Sequence, residues 1–332
     1  VWSTGQNIYG QLGDGSEGDK KGFVLTMPNG TQAVAAGDEF SMVLKQDGSV
    51  WATGNNNCGQ LGEGTKRLRR HFVQVMNGGV DAVSTGACHS LVLRIDGSVW
   101  STGSNSFGQL GMAFILKESA AFRKVFGGGV NAVIAGGYHS LVLKHDGSIW
   151  GTGRNLFGQL GDGSTIAKTT FTQVVPSGVK AVAAGHSHSM MLTQDGSVWA
   201  TGSNVHGQLG DGSTNDRYTF VQVMSTGAKA VAAGFGHSMI IKRDGSVWAT
   251  GWNLYGQLGD GSITSTSTFI RVATLSDNQG HTQDTLAKVF PSESFAITGP
   301  FASGEKYIIV LSLSFLCALC VHLVRMLFSN LE

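Results

Sequence analysis

The chain has 332 residues, 49 of them glycine and 4 proline, with 14% charged residues and a formal net charge of +1. That balance excludes a global field able to gather nucleic acid or an anionic membrane surface, and glycines that follow a long period exclude a collagen-like or low-complexity chain. Cys58, Cys88, Cys317 and Cys320 do not recur with the period, which argues against a disulfide framework.

In chain order, the first element is VWSTGQNIYGQLGDGS, and it returns five more times. Trp2, Trp51, Trp100, Trp150, Trp199 and Trp248 are 49 or 50 residues apart. A fixed period of this length marks a repeat architecture. The chain starts at Val1 inside a repeat and without a Met, as a fragment does, so residues 1–27 supply only the second half of a unit. Complete units follow at 33–76, 82–126, 132–175, 181–224 and 230–272. In the second of them AVSTG, SLVLR, VWSTG and FRKVF read as four short strands bounded by Gly, Asn, Asp or Ser. An Asp-Gly pair lies between the second and third strands of every complete unit, where a tight hairpin needs the positive φ that Gly supplies.

Strands such as Leu91-Val92-Leu93 are apolar at successive positions and need cover on both faces. A four-stranded antiparallel blade between two others supplies it, and units of about 40 to 50 residues fall in the range of β-propeller blades. The fold class expected is all-β, a propeller over residues 1–300 with six blades in this chain. Residues 287–298, from Ala287-Lys288-Val289 through Ser294 to Thr298, read as a decayed half-blade that shares a blade with the N-terminus. The alternative is a ring left incomplete.

The strings AGxxHS (as Gly136-Gly137-Tyr138-His139-Ser140), DGSVW and TGxNxxGQLG closely resemble the repeats of the regulator of chromosome condensation (RCC1-type) family over residues 1–272. The resemblance implies a propeller, usually of seven blades, and so one blade more than is counted here. It also implies guanine nucleotide exchange on a Ran-like small GTPase, as in the founding member. No exchange residue carries over by position, because the family's wedge-like blade insertion has no counterpart in these uniform spacings.

Strand alternation puts the GxxHS and NxxGQLG loops on one face and the DGS turns on the other, with the variable stretch after GQLG also leaving from the first. Loops on a rigid scaffold carry binding. The residue before the GQLG glycine is Tyr9, Cys58, Phe107, Phe157, His206 or Tyr255, a broken ring of aromatics able to anchor a protein partner. The same rings could equally plug the edges of neighbouring blades. Arg154 and Trp252 break a run of Gln, Asn and Ser at one loop position and are the leading contact candidates. Lys66, Arg67, Arg69 and Arg70 form a basic loop fit for phosphates or an acidic partner, or simply a solvated one. Met112 to Glu118 is an apolar insertion where other units have DGST.

The repeated residues read as structural. The six tryptophans are expected to pack between blades. His89, His139, His188 and His237 recur at one position, with Phe40 in the first complete unit. Spread over separate blades, they read as local partners of the loop backbone through the following Ser. His186 lies outside the consensus and reads as drift. No GxSxG, P-loop or HExxH string occurs, and Cys317-Ala318-Leu319-Cys320 stands alone in an apolar run without the second pair a zinc site needs. Near-identical units leave little asymmetry for a catalytic site, so no metal, no cofactor and no covalent catalysis are expected.

The hydrophobic segment 307–328 holds 17 uncharged residues from Ile308 to Val324, just long enough to span a bilayer. It resembles a tail anchor with the propeller in the cytoplasm. Its competitors are a buried strand with a hydrophobic plug, or an end foreign to the repeats. The leading function is a non-enzymatic scaffold binding a protein partner through the loop face. Exchange on a small GTPase is the alternative, and chromatin or nucleic-acid association through residues 66–70 is a third reading weakened by the neutral charge.

Overall fold

A computed structural model describes residues 1–274 except 28, 114 and 115, together with the strands Ser294–Pro300 and Lys306–Ser312. The first complete blade is an antiparallel meander of Thr31–Ala36, Phe40–Lys45, Val50–Gly54 and Arg69–Met76, and the same four-strand order recurs in 80–126, 130–175, 179–224 and 228–274. No α-helix occurs among the described residues. Met42, Val43 and Leu44 are all buried although they alternate sides, as a sheet covered on both faces requires. The hairpin after them turns at Gly48, whose φ of 76° only glycine adopts freely, while the Ser49 amide donates to Asp47 Oδ1 at 2.9 Å.

The core lies between blades. Phe40, Met42, Leu44 and Leu61 of the first blade pack with Val80, Val83 and Val92 of the second, and Trp100 closes that cluster from the side. Each later Trp does the same: Trp150 seats on the second blade's core, Trp199 on the third's, and Trp248 on the fourth's. The ring is half-buried. Its Nε1 donates to the Ser of the DGS turn, as Trp100 does to Ser98 at 3.1 Å, and a basic side chain such as Arg94 covers its outer face. Trp100→Ala should therefore cost about 3 kcal/mol, the low end for truncating a buried aromatic. Urea unfolding measures it, and a loss under about 1 kcal/mol would mean the ring contributes no core.

Polar locks join each blade to the next. Thr53 Oγ1 donates to the Gly10 carbonyl at 2.9 Å and Ser41 Oγ to the Gln11 carbonyl at 2.8 Å, and the pair repeats around the array, as in Thr102 to Gly59 and Ser90 to Gln60. The recurring histidines add a third lock. His89 Nε2 meets Ser140 Oγ, His139 meets Ser189 and His188 meets Ser238, each at 2.9 Å and each across a blade junction. This corrects the expectation of a local contact: the partner Ser belongs to the following blade. Ser140 already donates its one hydrogen to the Gln109 carbonyl at 2.7 Å, so the pattern assigns the proton to His89 Nε2.

The sixth sheet is built from both chain ends, with Lys20–Leu25, Trp2–Gly5, Lys306–Ser312 and Ser294–Pro300 in that order. Beside Trp2–Gly5 this sheet holds a strand from outside the half-blade read at 287–298. Lys306–Ser312, from the apolar segment read as a tail anchor, lies beside Trp2–Gly5 and runs parallel to it, with Trp2 opposite Ile309. A short apolar run satisfies a buried strand as well as a helix, so periodicity could not separate them. Residues 287–289 and 313–328 lie outside the described residues, and among the described residues no helix is long and apolar enough to cross a membrane. Among the described residues the propeller is not closed. Among the described residues, packing joins the terminal sheet to the first blade and each complete blade to the next, five junctions in all.

Candidate functional site

The NxxGQLG loop is shaped from within by two buried side chains. In the fourth blade the Asn204 Oδ1 accepts from the Leu209 amide at 2.9 Å and its Nδ2 donates to Asp211 Oδ1 at 3.0 Å, while Gln208 Oε1 takes the His206 amide at 2.9 Å. Asp211 is held by Arg217, Asp162 by Lys168 and Asp14 by Lys20. Ser16 and Lys20 outweigh the effect of burial and hold the Asp14 carboxyl down at about 2. With Asn and Gln turned inward, the two residues that follow the Asn face out. Tyr9, Phe157 and His206 are half-buried there, Phe107 and Tyr255 exposed, and the preceding Ile8, Leu156, Val205 and Leu254 are more exposed still.

Four adjacent blades bring these rings into one belt. Phe107 packs edge-on to Tyr138 at 5.5 Å, Tyr138 to His186 at 5.4 Å, and His186 lies against Phe235 at 4.4 Å. Phe235 reaches Trp252 at 6.1 Å, and Trp252 stacks on His206 at 5.4 Å and meets Tyr255 at 5.5 Å. The Arg154 guanidinium lies 5.3 Å from the Phe107 ring, 5.4 Å from Phe157 and 5.9 Å from Tyr138. Such stacking holds a cation at a protein surface while leaving its donors free. Burial lowers the His186 pKa, with Asp38 pulling weakly the other way, so a neutral ring sits in mid-belt.

The structure thus gathers Phe107, Arg154, Phe157, His206, Trp252 and Tyr255 from the sequence candidates, and leaves Tyr9 apart on the terminal sheet. It adds Tyr138 and Phe235, which sequence reasoning passed over because the two variable residues of AGxxHS read as spacers, and His186, which it noticed but set aside as drift. Their signal was available: Tyr138, His186 and Phe235 are the only rings at those positions in the five complete blades. His186, read as drift, is the link between the two halves of the belt.

The basic loop is not a free cationic patch. Lys66 pairs with Glu118, Arg69 with Glu63 at 2.6 Å, and Arg70 with Glu17. Three of its four charges are paired with carboxylates, which weakens the positive potential a phosphate backbone would meet there. Of the insertion, Ala113 takes a left-handed φ of 55° and Leu116 is exposed, while residues 114 and 115 lie outside the described residues. Among the described residues no group of three or more His, Cys, Asp or Glu side chains is arranged to hold a metal ion.

Comparison with known proteins agrees with this architecture. The family model of the RCC1-like domain matches residues 1–296. Human WBSCR16 superposes with a TM-score of 0.72 at 25% identity, covering 82% of this chain and 76% of that one. Yeast RCC1 (Prp20), solved with Kap60, gives 0.70 at 22% identity over 88% of this chain and 71% of that one. Prp20p from Saccharomyces cerevisiae, described with its binding properties to Gsp1p and histones, gives 0.64 at 21% identity over 90% and 72%. At those identities the two yeast structures bear on the fold alone. No curated protein matches the chain.

Proposed function

We propose that this chain, which belongs to the RCC1-like domain family, is a non-enzymatic scaffold that binds a protein partner through its loop face. The observation that carries this reading is the belt itself. Phe107, Leu156, Val205, Phe235, Leu254 and Tyr255 are exposed on one face, beside an arginine held among three rings. Contiguous apolar surface of this kind, centred on aromatic and Arg side chains, is what protein interfaces use as anchors. Trp252 and Arg154 are the two side chains most engaged with neighbouring rings. Trp252→Ala combined with Arg154→Ala should lower recovery of native partners in a pull-down at least tenfold while leaving the melting temperature within a few degrees, at about 1.4 kcal/mol per tenfold. Undiminished recovery would remove the reading.

Exchange on a Ran-like GTPase is the second reading, favoured by the likeness in fold to Prp20p, which was described with its binding to Gsp1p. It uses the same face. A Ran-type GTPase loaded with fluorescent nucleotide should then release it faster with this protein and not with the double variant; no acceleration leaves the scaffold reading.

A further inference from the structure

Cys58 and Cys88 occupy, at the junction of the first and second blades, the two positions held by Phe107 and Tyr138 at the next junction. Both are free and half-buried. Cys58 precedes the GQLG glycine of one blade and Cys88 precedes the His of the next, so the two side chains face each other across this junction as Phe107 and Tyr138 do across the next. We propose that they form a dithiol site that hydrogen peroxide oxidises to a disulfide between the first and second blades.

The backbones on either side are fixed. Thr102 Oγ1 donates to the Gly59 carbonyl at 2.9 Å and Ser90 Oγ to the Gln60 carbonyl at 2.7 Å, so the residues next to Cys58 are tied to the strands that flank Cys88. The Cys58 amide is held by Gln60 Oε1 at 2.9 Å and the Cys88 carbonyl accepts from the Ser104 amide at 2.8 Å. The two cysteines are brought to one junction by the locks between blades, without any local motif.

The two thiols are unlike. The hydrogen bond from Cys88 lowers the Cys58 pKa to about 7, against burial and the Glu118 carboxylate, whose effect the paired Lys66 ammonium offsets in part. Cys88 is pushed up by that same bond and by burial, with Asp38 and Glu39 adding to it. Cys58 is therefore the attacking thiolate and Cys88 the resolving thiol. The Cys58 sulfur attacks one peroxide oxygen, the O–O bond breaks, and the departing hydroxide takes up a proton to leave as water. The Cys88 sulfur then attacks the Cys58 sulfenic acid, the S–O bond breaks, and the hydroxyl leaves with the Cys88 proton as a second water. Two thiols and one peroxide become one disulfide and two waters.

The test uses the full reduced chain with one equivalent of hydrogen peroxide, alkylation of remaining thiols and tryptic mapping. Cleavage places Cys58 in 46–66 and Cys88 in 71–94. The expected product is these two peptides joined, two hydrogens lighter than their sum and separated again by dithiothreitol. In Cys88→Ser the linked peptide should vanish, and Cys58 should be recovered in 46–66 as a dimedone-trapped sulfenic acid. Recovery of both cysteines alkylated, or oxidised separately, or of Cys58 joined to Cys317 or Cys320 instead, would overturn the proposal.

Discussion

Lowering the pH from 7 to 5 should remove about 2 kcal/mol of stability for each of His89, His139, His188 and His237, about 8 in total. All four are buried, and desolvation drops their pKa values from 6.5 to about 4, 3, 3 and 4. In the unfolded chain they take up protons below pH 6.5; in the folded chain they do not until the pH falls to those lower values. The unfolded state thus binds more protons throughout the window between, so stability rises with pH there and is complete above 6.5. The structural cause is specific. With the proton on Nε2, a second proton would have to go on Nδ1, which in His89, His139 and His188 is buried without a partner. A loss of about 8 kcal/mol rivals the whole stability of an ordinary domain, about 5 to 15 kcal/mol, so the propeller should unfold near pH 5. Urea midpoints measured from pH 7.5 to 5 test this. His139→Phe, copying Phe40 of the first blade, should lower the slope by about a quarter, or ~1.4 kcal/mol per pH unit. The aspartates of the loop and hairpin turns, such as Asp14 and Asp146 near 2, act in a separate window below 3.8. A urea midpoint that stays constant between pH 7 and 5 would show that the histidines carry no such penalty.

Gly153→Ala should cost about 4 kcal/mol or more, at the severe end for a single substitution. Gly153 has φ of 103°, and an added Cβ would lie 2.6 Å from the Tyr138 carbonyl oxygen, 2.7 Å from the His139 Cα and 3.1 Å from the Gln109 Cα of the preceding blade. All three are backbone atoms inside a locked junction and none can swing aside. Gly178→Ala is the control. Its φ of 86° imposes a left-handed backbone, but a Cβ there meets nothing within 4 Å, so the strain alone, about 1 to 2 kcal/mol, should appear. Equal losses in the two variants would mean that the close approach at Gly153 contributes nothing.

The blades were legible because each signal is local. Asp-Gly turns, apolar runs of five or six residues and a period near 49 describe one unit without reference to its neighbours. What escaped the sequence depends on contacts between units. The histidine locks reach the Ser of the next blade, Cys58 faces Cys88 only because two different repeat positions converge at a junction, and Tyr138, His186 and Phe235 become a surface only when three blades stand side by side. The place of Lys306–Ser312 in the terminal sheet escaped for a different reason. Ile308 to Ser312 carries no repeat pattern, and an apolar run without period is equally a strand or a helix until a sheet edge is offered to it. Arg154 and Trp252 stood out in the sequence because each breaks a polar run at a position the repeat otherwise keeps small. The ion pairs of the basic loop were not legible because Glu17, Glu63 and Glu118, which make them, are scattered along the chain.

Site-specific photocrosslinking compares the two faces of the propeller most directly. A benzoylphenylalanine placed at Leu254, exposed on the loop face, or at Ile95, exposed at a DGS turn on the other, reports whatever protein lies against it in living cells. The account predicts a discrete adduct from Leu254 that is lost when Trp252→Ala is added, and none from Ile95. Adducts from Ile95 alone, or a Leu254 adduct indifferent to Trp252, would contradict the assignment of the loop face as the binding surface.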